Sequence, residues 1–299
     1  MKFVDVKNDV AFRKIFGNQK KTIVIISFLN AVLDLEGQHR ISKITILNPY
    51  LLPRIAGEKA SIIDVRATDQ RGRQFVVEMQ VADKKGFEKR VQFYTSRDYS
   101  MQIEKGEDYP KLKPTYFVGI LNFSIGKGKN YLGKHYSIEE ETGMCVLGDI
   151  QHRFIQLKKF KKKQHELVTL IDKWTYFIKH AENLSVIPED VENEGLKLAY
   201  QEADRYSWKK EELIAYDNAS MREQDERGRL ELAVEQAVEH TKAEAKAEKE
   251  KMLAKVEAKE VQTILKLNVL GVSIDDIADA TEKSPEQVQQ IIADHADKK

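Results

Sequence analysis

Asp64 lies in the segment Ser61-Ile-Ile-Asp64-Val-Arg-Ala, and Glu78 and Gln80 lie in Gln74-Phe-Val-Val-Glu78-Met-Gln80-Val. Both segments are rich in β-branched and apolar residues and read as strands. A carboxylate avoids an apolar sheet unless something compensates its charge, and a divalent cation is the commonest reason to collect two of them there. Side chains alternate along a strand, so Glu78 and Gln80 share one face while Val77 and Met79 take the other. With 13 residues between Asp64 and Glu78, a hairpin brings all three polar side chains to one spot. Mg²⁺ is usually held by one or two carboxylates together with water and phosphate oxygens, a set this triplet can begin to supply. From spacing alone the alternative is a solvated hairpin face bearing ordinary surface charge.

Positioning such a triplet requires a sheet, and the surrounding sequence supplies one. Apolar residues at three-to-four spacing over Asp9 to Phe16 and Thr22 to Leu35 predict two helices joined at Gly17-Asn-Gln. Four strand-like runs follow: Ile41 to Leu47, Ala60 to Thr68, Gln74 to Val81 and Thr115 to Phe123. Asp69-Gln-Arg-Gly72-Arg is a turn, which makes the second and third runs a hairpin. Phe87 to Glu104 is long and periodic enough for a crossover helix back to the sheet. The order αα-βββ-α-β indicates a mixed α/β core. Strand-like pieces at His135-Tyr-Ser-Ile and Phe154-Ile-Gln-Leu, then a helix carrying Leu167, Leu170, Ile171 and Trp174, read as the end of the same domain.

From about Pro188 the chain reads as wholly helical. Arg222 to Glu260 is almost entirely Ala, Glu, Lys, Gln and Arg, the composition of a long exposed helix or weak coiled coil. Apolar periodicity then returns over Val261 to Leu270, with Gly271 as a stop, Ser273 as an N-cap for Ile274 to Ala280, and Ser284-Pro285-Glu286 opening a last helix to about His295. The expected organisation is a domain over residues 1–185, a helical linker and long charged helix over 186–260, and a small helical module over 261–299. Its cadence resembles a helix-turn-helix, but the last helix offers Gln287, Gln289 and Gln290 with no Arg or Lys. Homo-oligomerisation or partner docking through these C-terminal helices is favoured over reading DNA sequence.

The 49 Lys and Arg residues balance 48 Asp and Glu to a net charge of +1, so any nucleic-acid contact must come from local basic patches. Cys145 is the only cysteine, which excludes intrachain disulfides and cysteine-rich zinc sites and fits a reducing, cytoplasmic compartment. The N-terminus is charged where a signal peptide needs an apolar run, and no stretch reaches the roughly 18 apolar residues of a membrane span. A cytoplasmic protein without membrane association is the expectation.

The arrangement of an acid followed by Glu-x-Gln on the next strand resembles the PD-(D/E)XK nuclease superfamily. More closely, the segment from Lys7 to Phe123 is similar to the recombination-promoting nuclease and transposase family. The residues carrying that resemblance are Asp9, Phe12, Lys14 and Phe16 in the first helix, Asp64 and Glu78-Met-Gln80 in the hairpin, and Arg90-Val-Gln-Phe-Tyr94-Thr-Ser-Arg97-Asp-Tyr99 in the crossover helix. The helical tail matches only in style. The resemblance implies a restriction-endonuclease-like α/β core with a helical C-terminal extension, and a Mg²⁺-dependent DNA endonuclease in which Mn²⁺ can substitute. Asp64 and Glu78 would be metal ligands, with the backbone carbonyl of Met79 as a third oxygen.

Gln80 occupies the position of the superfamily lysine. Lysine would orient the attacking water and stabilise developing charge, whereas an amide hydrogen-bonds but brings no cation. The resemblance therefore implies reduced or repositioned catalysis, and its rival is a catalytically weak or inactive nuclease fold acting as a DNA-binding or assembly module. Ile62-Ile63 stands where the conventional Pro would precede the first acid. Asp9 either faces the site as a supporting acid or caps its helix. Tyr94, Arg97 and Tyr99 either line a DNA cleft, with Arg97 on phosphate, or pack on the sheet. Lys14, Lys127, Lys129, Lys134 and the run Lys158-Lys-Phe-Lys-Lys-Lys163 are candidate phosphate contacts set against ordinary solvated charge.

Gly128-Lys-Asn-Tyr-Leu-Gly133-Lys134 matches the spacing of a Walker A loop, but His135 stands where Ser or Thr must hold Mg²⁺ and no helical pattern follows. No nucleotide cofactor is expected. His152, His165, His180 and Cys145 have no partner at ligand or base spacing and read as structural.

Overall fold

A computed structural model describes residues 1–51 and 61–296. Contacts divide the chain into two units, Met1–Arg222 and Glu223–Lys299. In the first unit, helices α1 (Asp9–Phe16) and α2 (Ile23–Leu33) precede strands β1 (Ile44–Leu47), β2 (Tyr50–Leu51), β3 (Ser61–Ile62), β4 (Val65–Asp69) and β5 (Gln74–Gln80). Helix α3 (Phe87–Ser100) leads to β6 (Thr115–Leu121), β7 (Leu132–Tyr136), β8 (Ile150–Gln156), α4 (Leu170–His180) and α5 (Glu194–Ala203). Helix α6 (Lys210–Val269) begins in the first unit and continues into the second, followed by α7 (Ile274–Thr281) and α8 (Pro285–Ala296). None of the described helices is long and apolar enough to cross a membrane.

One sheet has the order β1-β4-β5-β6-β8-β7, and β2 pairs with β3 apart from it. β4 and β5 form the antiparallel hairpin in the register Val65↔Val77, while β5 and β6 run parallel with Glu78 opposite Gly119. The parallel pair is what a crossover helix makes possible, and α3 is that crossover. The hairpin turn is fixed by Asp69, whose Oδ1 accepts from the amides of Arg71 and Arg73 at 2.9 Å each and whose Oδ2 meets Arg73 Nε at 2.6 Å. Gly72 supplies the positive φ of 79° that this turn requires.

Alternation along the strands makes a three-layer arrangement. Phe75, Val77 and Met79 face a core shared with α1, α2, α4 and α5, whereas Val76 faces a smaller cluster formed with Phe87 and Val91 of α3. Phe16, Phe28 and Trp174 tie three helices together, with ring centroids 5.1 to 5.7 Å apart. Burying each such side chain contributes about 1.5–3 kcal/mol. The Trp174 indole donates to Ser27 Oγ at 3.2 Å, Ser27 donates to Asn193 Oδ1 at 2.6 Å, and Asn193 caps α5 through the Leu196 amide at 3.0 Å. α5 lies so close to α2 that a Cβ on Gly195 would sit 2.5 Å from Ser27 Cβ and 2.6 Å from the Ile23 carbonyl.

The strand expected over Ala60 to Thr68 is divided. Ser61–Ile62 joins Tyr50–Leu51, the ladder of β4 starts only at Val65, and Ala60 lies outside the described residues. The Ile63 amide still donates to a main-chain carbonyl, that of Pro49 at 3.0 Å, but at Asp64 carboxylates take the place of main-chain partners. The Asp64 amide donates to Glu78 Oε1 at 3.2 Å, and the Met79 amide donates to Asp64 Oδ2 at 2.9 Å. β7 and β8 begin earlier than their apolar residues signal, at Leu132 and Ile150. Leu167 precedes α4, which Thr169 caps by accepting from the Asp172 amide at 3.2 Å.

In the second unit, Ile264, Ile277, Ala278 and Val288 are buried together, with Leu267, Ile291 and Ile292 against them. Ser273 caps α7 by accepting from the Asp276 amide at 3.2 Å, and Ser284 and Gln287 cap the start of α8 reciprocally. Gly271 takes a φ of 79° between α6 and α7.

Candidate active site

α1 and the hairpin meet at Asp64. Asn8 caps α1, accepting from the Val10 and Ala11 amides at 3.0 and 3.3 Å, and Phe12, Ile15 and Phe16 sink its inner face into the core. That leaves Arg13 on the outer face, where its Nε and Nη2 donate to Asp64 Oδ1 at 3.0 and 2.8 Å. Asp64 Oδ2 accepts from Met79, so both carboxylate oxygens are engaged. Asp9 lies in the first turn of α1, exposed, and its charge bears on both Asp64 and Arg13. The helix cap is Asn8, not Asp9.

Glu78 is buried in the middle of the sheet, 5 % exposed. Its Oε1 accepts from the Asp64 amide and its Oε2 accepts from Gln80 Nε2 at 2.8 Å. Gln80 Oε1 in turn accepts from Nη2 of Arg90 on α3. α3 is anchored to the sheet by Arg66 of β4, whose Nε meets the fully buried Asp98 at 2.5 Å. A continuous path of hydrogen bonds thus runs from Arg13 through Asp64, Glu78 and Gln80 to Arg90.

The electrostatics of the two acids match their burial. Desolvation pushes Glu78 up to about 8 from its ordinary 4.5, with the neighbouring Asp64 charge adding to the rise and the Asp64 amide, Arg90 and Arg13 opposing it. Burial also raises Asp64, against the Met79 amide and Arg13. Two acids that both resist ionisation in one buried place lack sufficient positive charge, and a divalent cation is the compensation this donor set fits. Among the described residues no group of three or more His, Cys, Asp or Glu side chains is placed to hold a metal. A two-carboxylate set must draw further oxygens from the main chain, water or substrate, as Mg²⁺ sites do. The main chain of Met79 faces this place: its amide bonds Asp64, and a strand residue's N–H and C=O point to the same side.

The expected triplet Asp64, Glu78 and Gln80 is therefore brought together, and Arg13 and Arg90 join it. Neither arginine stands out at the level of spacing, because nothing local says that a helix residue will reach a carboxylate or amide far along the chain. The expected nucleic-acid contacts are more scattered. Lys14 is held by Glu212 at 2.5 Å and lies 5.0 Å over the Trp208 ring. Tyr94 and Arg97 follow Arg90 at helical spacing on α3, Tyr94 packed against the smaller cluster and Arg97 over the Phe93 ring at 5.8 Å. Tyr99 donates to Asp149 at 2.8 Å. Lys127 and Lys129 are exposed in the loop after β6, whose last residue Leu121 pairs with Gln80. The segment with Walker A spacing runs into β7 rather than a helix.

No curated protein and no solved structure matches the chain. A family model does, over residues 6–233, which takes in every element from α1 to α5 and the site between them. On that match, the chain belongs to the PD-(D/E)XK nuclease family transposases.

Proposed function

We propose that this protein is a divalent-cation-dependent DNA endonuclease that hydrolyses phosphodiester bonds, in the setting of recombination or mobile-element movement. The observation that carries the reading is the meeting of Asp64 and Glu78 in a buried, cation-deficient place at the mouth of the hairpin. Asp64, Glu78 and the Met79 carbonyl would hold Mg²⁺, with Mn²⁺ as a substitute. When bound, the cation's contribution is to polarise the phosphodiester and to lower the pKa of an attacking water. Gln80 orients that water through its amide, and Asp9 supports the site from α1 with a further negative charge.

Lys127 and Lys129 meet DNA phosphates beyond the site, and Tyr94 and Arg97 line the approach along α3. Lys14 joins them by exchanging Glu212 for a phosphate oxygen. Plasmid nicking with Mg²⁺ or Mn²⁺ tests the reading. Wild type should nick, and Asp64→Ala and Glu78→Ala should not; equal rates in wild type and Asp64→Ala would remove the site assignment.

A second reading, a weak or inactive nuclease fold serving as a DNA-binding or assembly module, is favoured by the neutral Gln80 and by the hold of Arg13 on Asp64. Calorimetric titration with Mn²⁺ separates the two, since no binding at millimolar concentration would sink the enzyme. Under either reading the C-terminal helices serve self-association. α6 exposes Leu230, Val234 and Val238, and later Met252 and Val256, at four-residue spacing. Light scattering of wild type against Val234→Glu/Val238→Glu, with the variant smaller, tests that role.

A further inference from the structure

Gln80 carries no charge, yet it is not isolated from one. Its amide has a distinct acceptor end and donor end, and the partners on the two ends leave no choice of orientation. A guanidinium only donates, so Arg90 must take Oε1, and this turns Nε2 to Oε2 of Glu78, which accepts from it. Arg90 itself is positioned from two sides, by its place on the first turns of α3 and by the Phe87 ring, 5.7 Å from the guanidinium carbon. The Arg90–Gln80 pair thereby places a fixed positive charge one hydrogen bond away from the amide, on the side of the site where a lysine ammonium would otherwise stand.

We propose that Arg90 is a positioning residue of the site, which fixes the Gln80 amide in its working orientation and supplies through it the positive charge that position 80 lacks. The inference rests on the nuclease reading above and deepens it. Arg90 and Gln80 divide between two side chains what one lysine does: the amide makes the directional hydrogen bond, and the guanidinium carries the charge.

The test uses full-length protein, three variants and two measurements. Arg90→Gln should lower kcat for plasmid nicking by on the order of 100-fold, the scale of losing one preorganised charge-stabilising donor. Arg90→Lys should retain a measurable part of that rate. The double variant Gln80→Lys/Arg90→Gln, which moves the cation into position 80, should recover most of the loss. The second measurement is Mn²⁺ affinity by calorimetry in the absence of DNA. Removing a positive charge beside two carboxylates should leave the Kd of Arg90→Gln equal to or smaller than that of wild type. A mere structural prop would behave otherwise, because losing it would loosen Glu78 and weaken metal binding together with activity. Arg90→Gln that nicks like wild type, or that loses Mn²⁺ affinity in parallel with activity, overturns the inference while leaving the nuclease reading in place. A double variant as slow as Arg90→Gln also overturns it. A wild-type protein that nicks with neither metal removes both.

Discussion

The amide of Asp64 donates to the carboxylate of Glu78 at 3.2 Å, so the two acids are tied through main chain as well as by proximity. The shared geometry means that a change in the charge of either will be felt by the other, and by the protein's stability.

Glu78 gives the first consequence. Its folded pKa of about 8 lies above its ordinary 4.5, so in this interval the native state binds more protons than the unfolded one. Stability from this group is present at low pH and is lost as pH rises towards about 8. Glu78→Gln removes that loss. Metal-free thermal melts should show the variant gaining on wild type as pH goes from about 5 to about 8, most at the alkaline end. A constant difference across the interval would mean that Glu78 does not titrate there.

Metal loading should release a proton. Burial pushes Glu78 up to about 8, which favours its protonated form near neutral pH, whereas a divalent cation takes only the ionised carboxylate. Calorimetry of Mn²⁺ binding near neutral pH in buffers of different ionisation enthalpy should therefore report up to about one proton released per site. The release should disappear in Glu78→Gln.

The loop lysines give a salt signature. Lys127→Ala and Lys129→Ala should each weaken duplex binding uniformly across sequences and reduce the slope of log K against log salt by about 1. Lys14→Ala should change the slope less, because Glu212 already neutralises that ammonium in the free protein.

Gly195 is a packing test remote from the chemistry. A methyl group there meets Ser27 Cβ and the Ile23 carbonyl at distances that real contacts do not reach, so α5 must shift away from α2. Gly195→Ala should destabilise by about 1–3 kcal/mol in chemical denaturation. Metal binding at Asp64 should be unchanged wherever the variant is folded.

Much of this architecture is legible in the sequence because its signals are local. The α1 boundaries, the Asp69 to Gly72 turn, the crossover helix and the Ser273 cap all follow from spacing and capping chemistry among near neighbours. The alternation that puts Glu78 and Gln80 on one face is equally local. What the sequence hides is long-range. The first half of β8 carries Gln151, His152 and Arg153 in place of an apolar run, and the break at Asp64 depends on a carboxylate 14 residues away. Arg13 comes to Asp64 and Arg90 to Gln80 only when two helices dock on opposite faces of the sheet. Their helical spacing marks them as surface charge.

The interruption at Asp64 also bears on how the chain assembles. Because the carboxylate of Asp64 stands in for a main-chain partner of Met79, the two acids hold the β4–β5 hairpin at the register Val65↔Val77. A slip of one residue would turn every side chain of β4 to the other layer and part Asp64 from Met79 at the same stroke. The contact between the two acids is thus tied to strand alignment, and a misregistered hairpin would lose it.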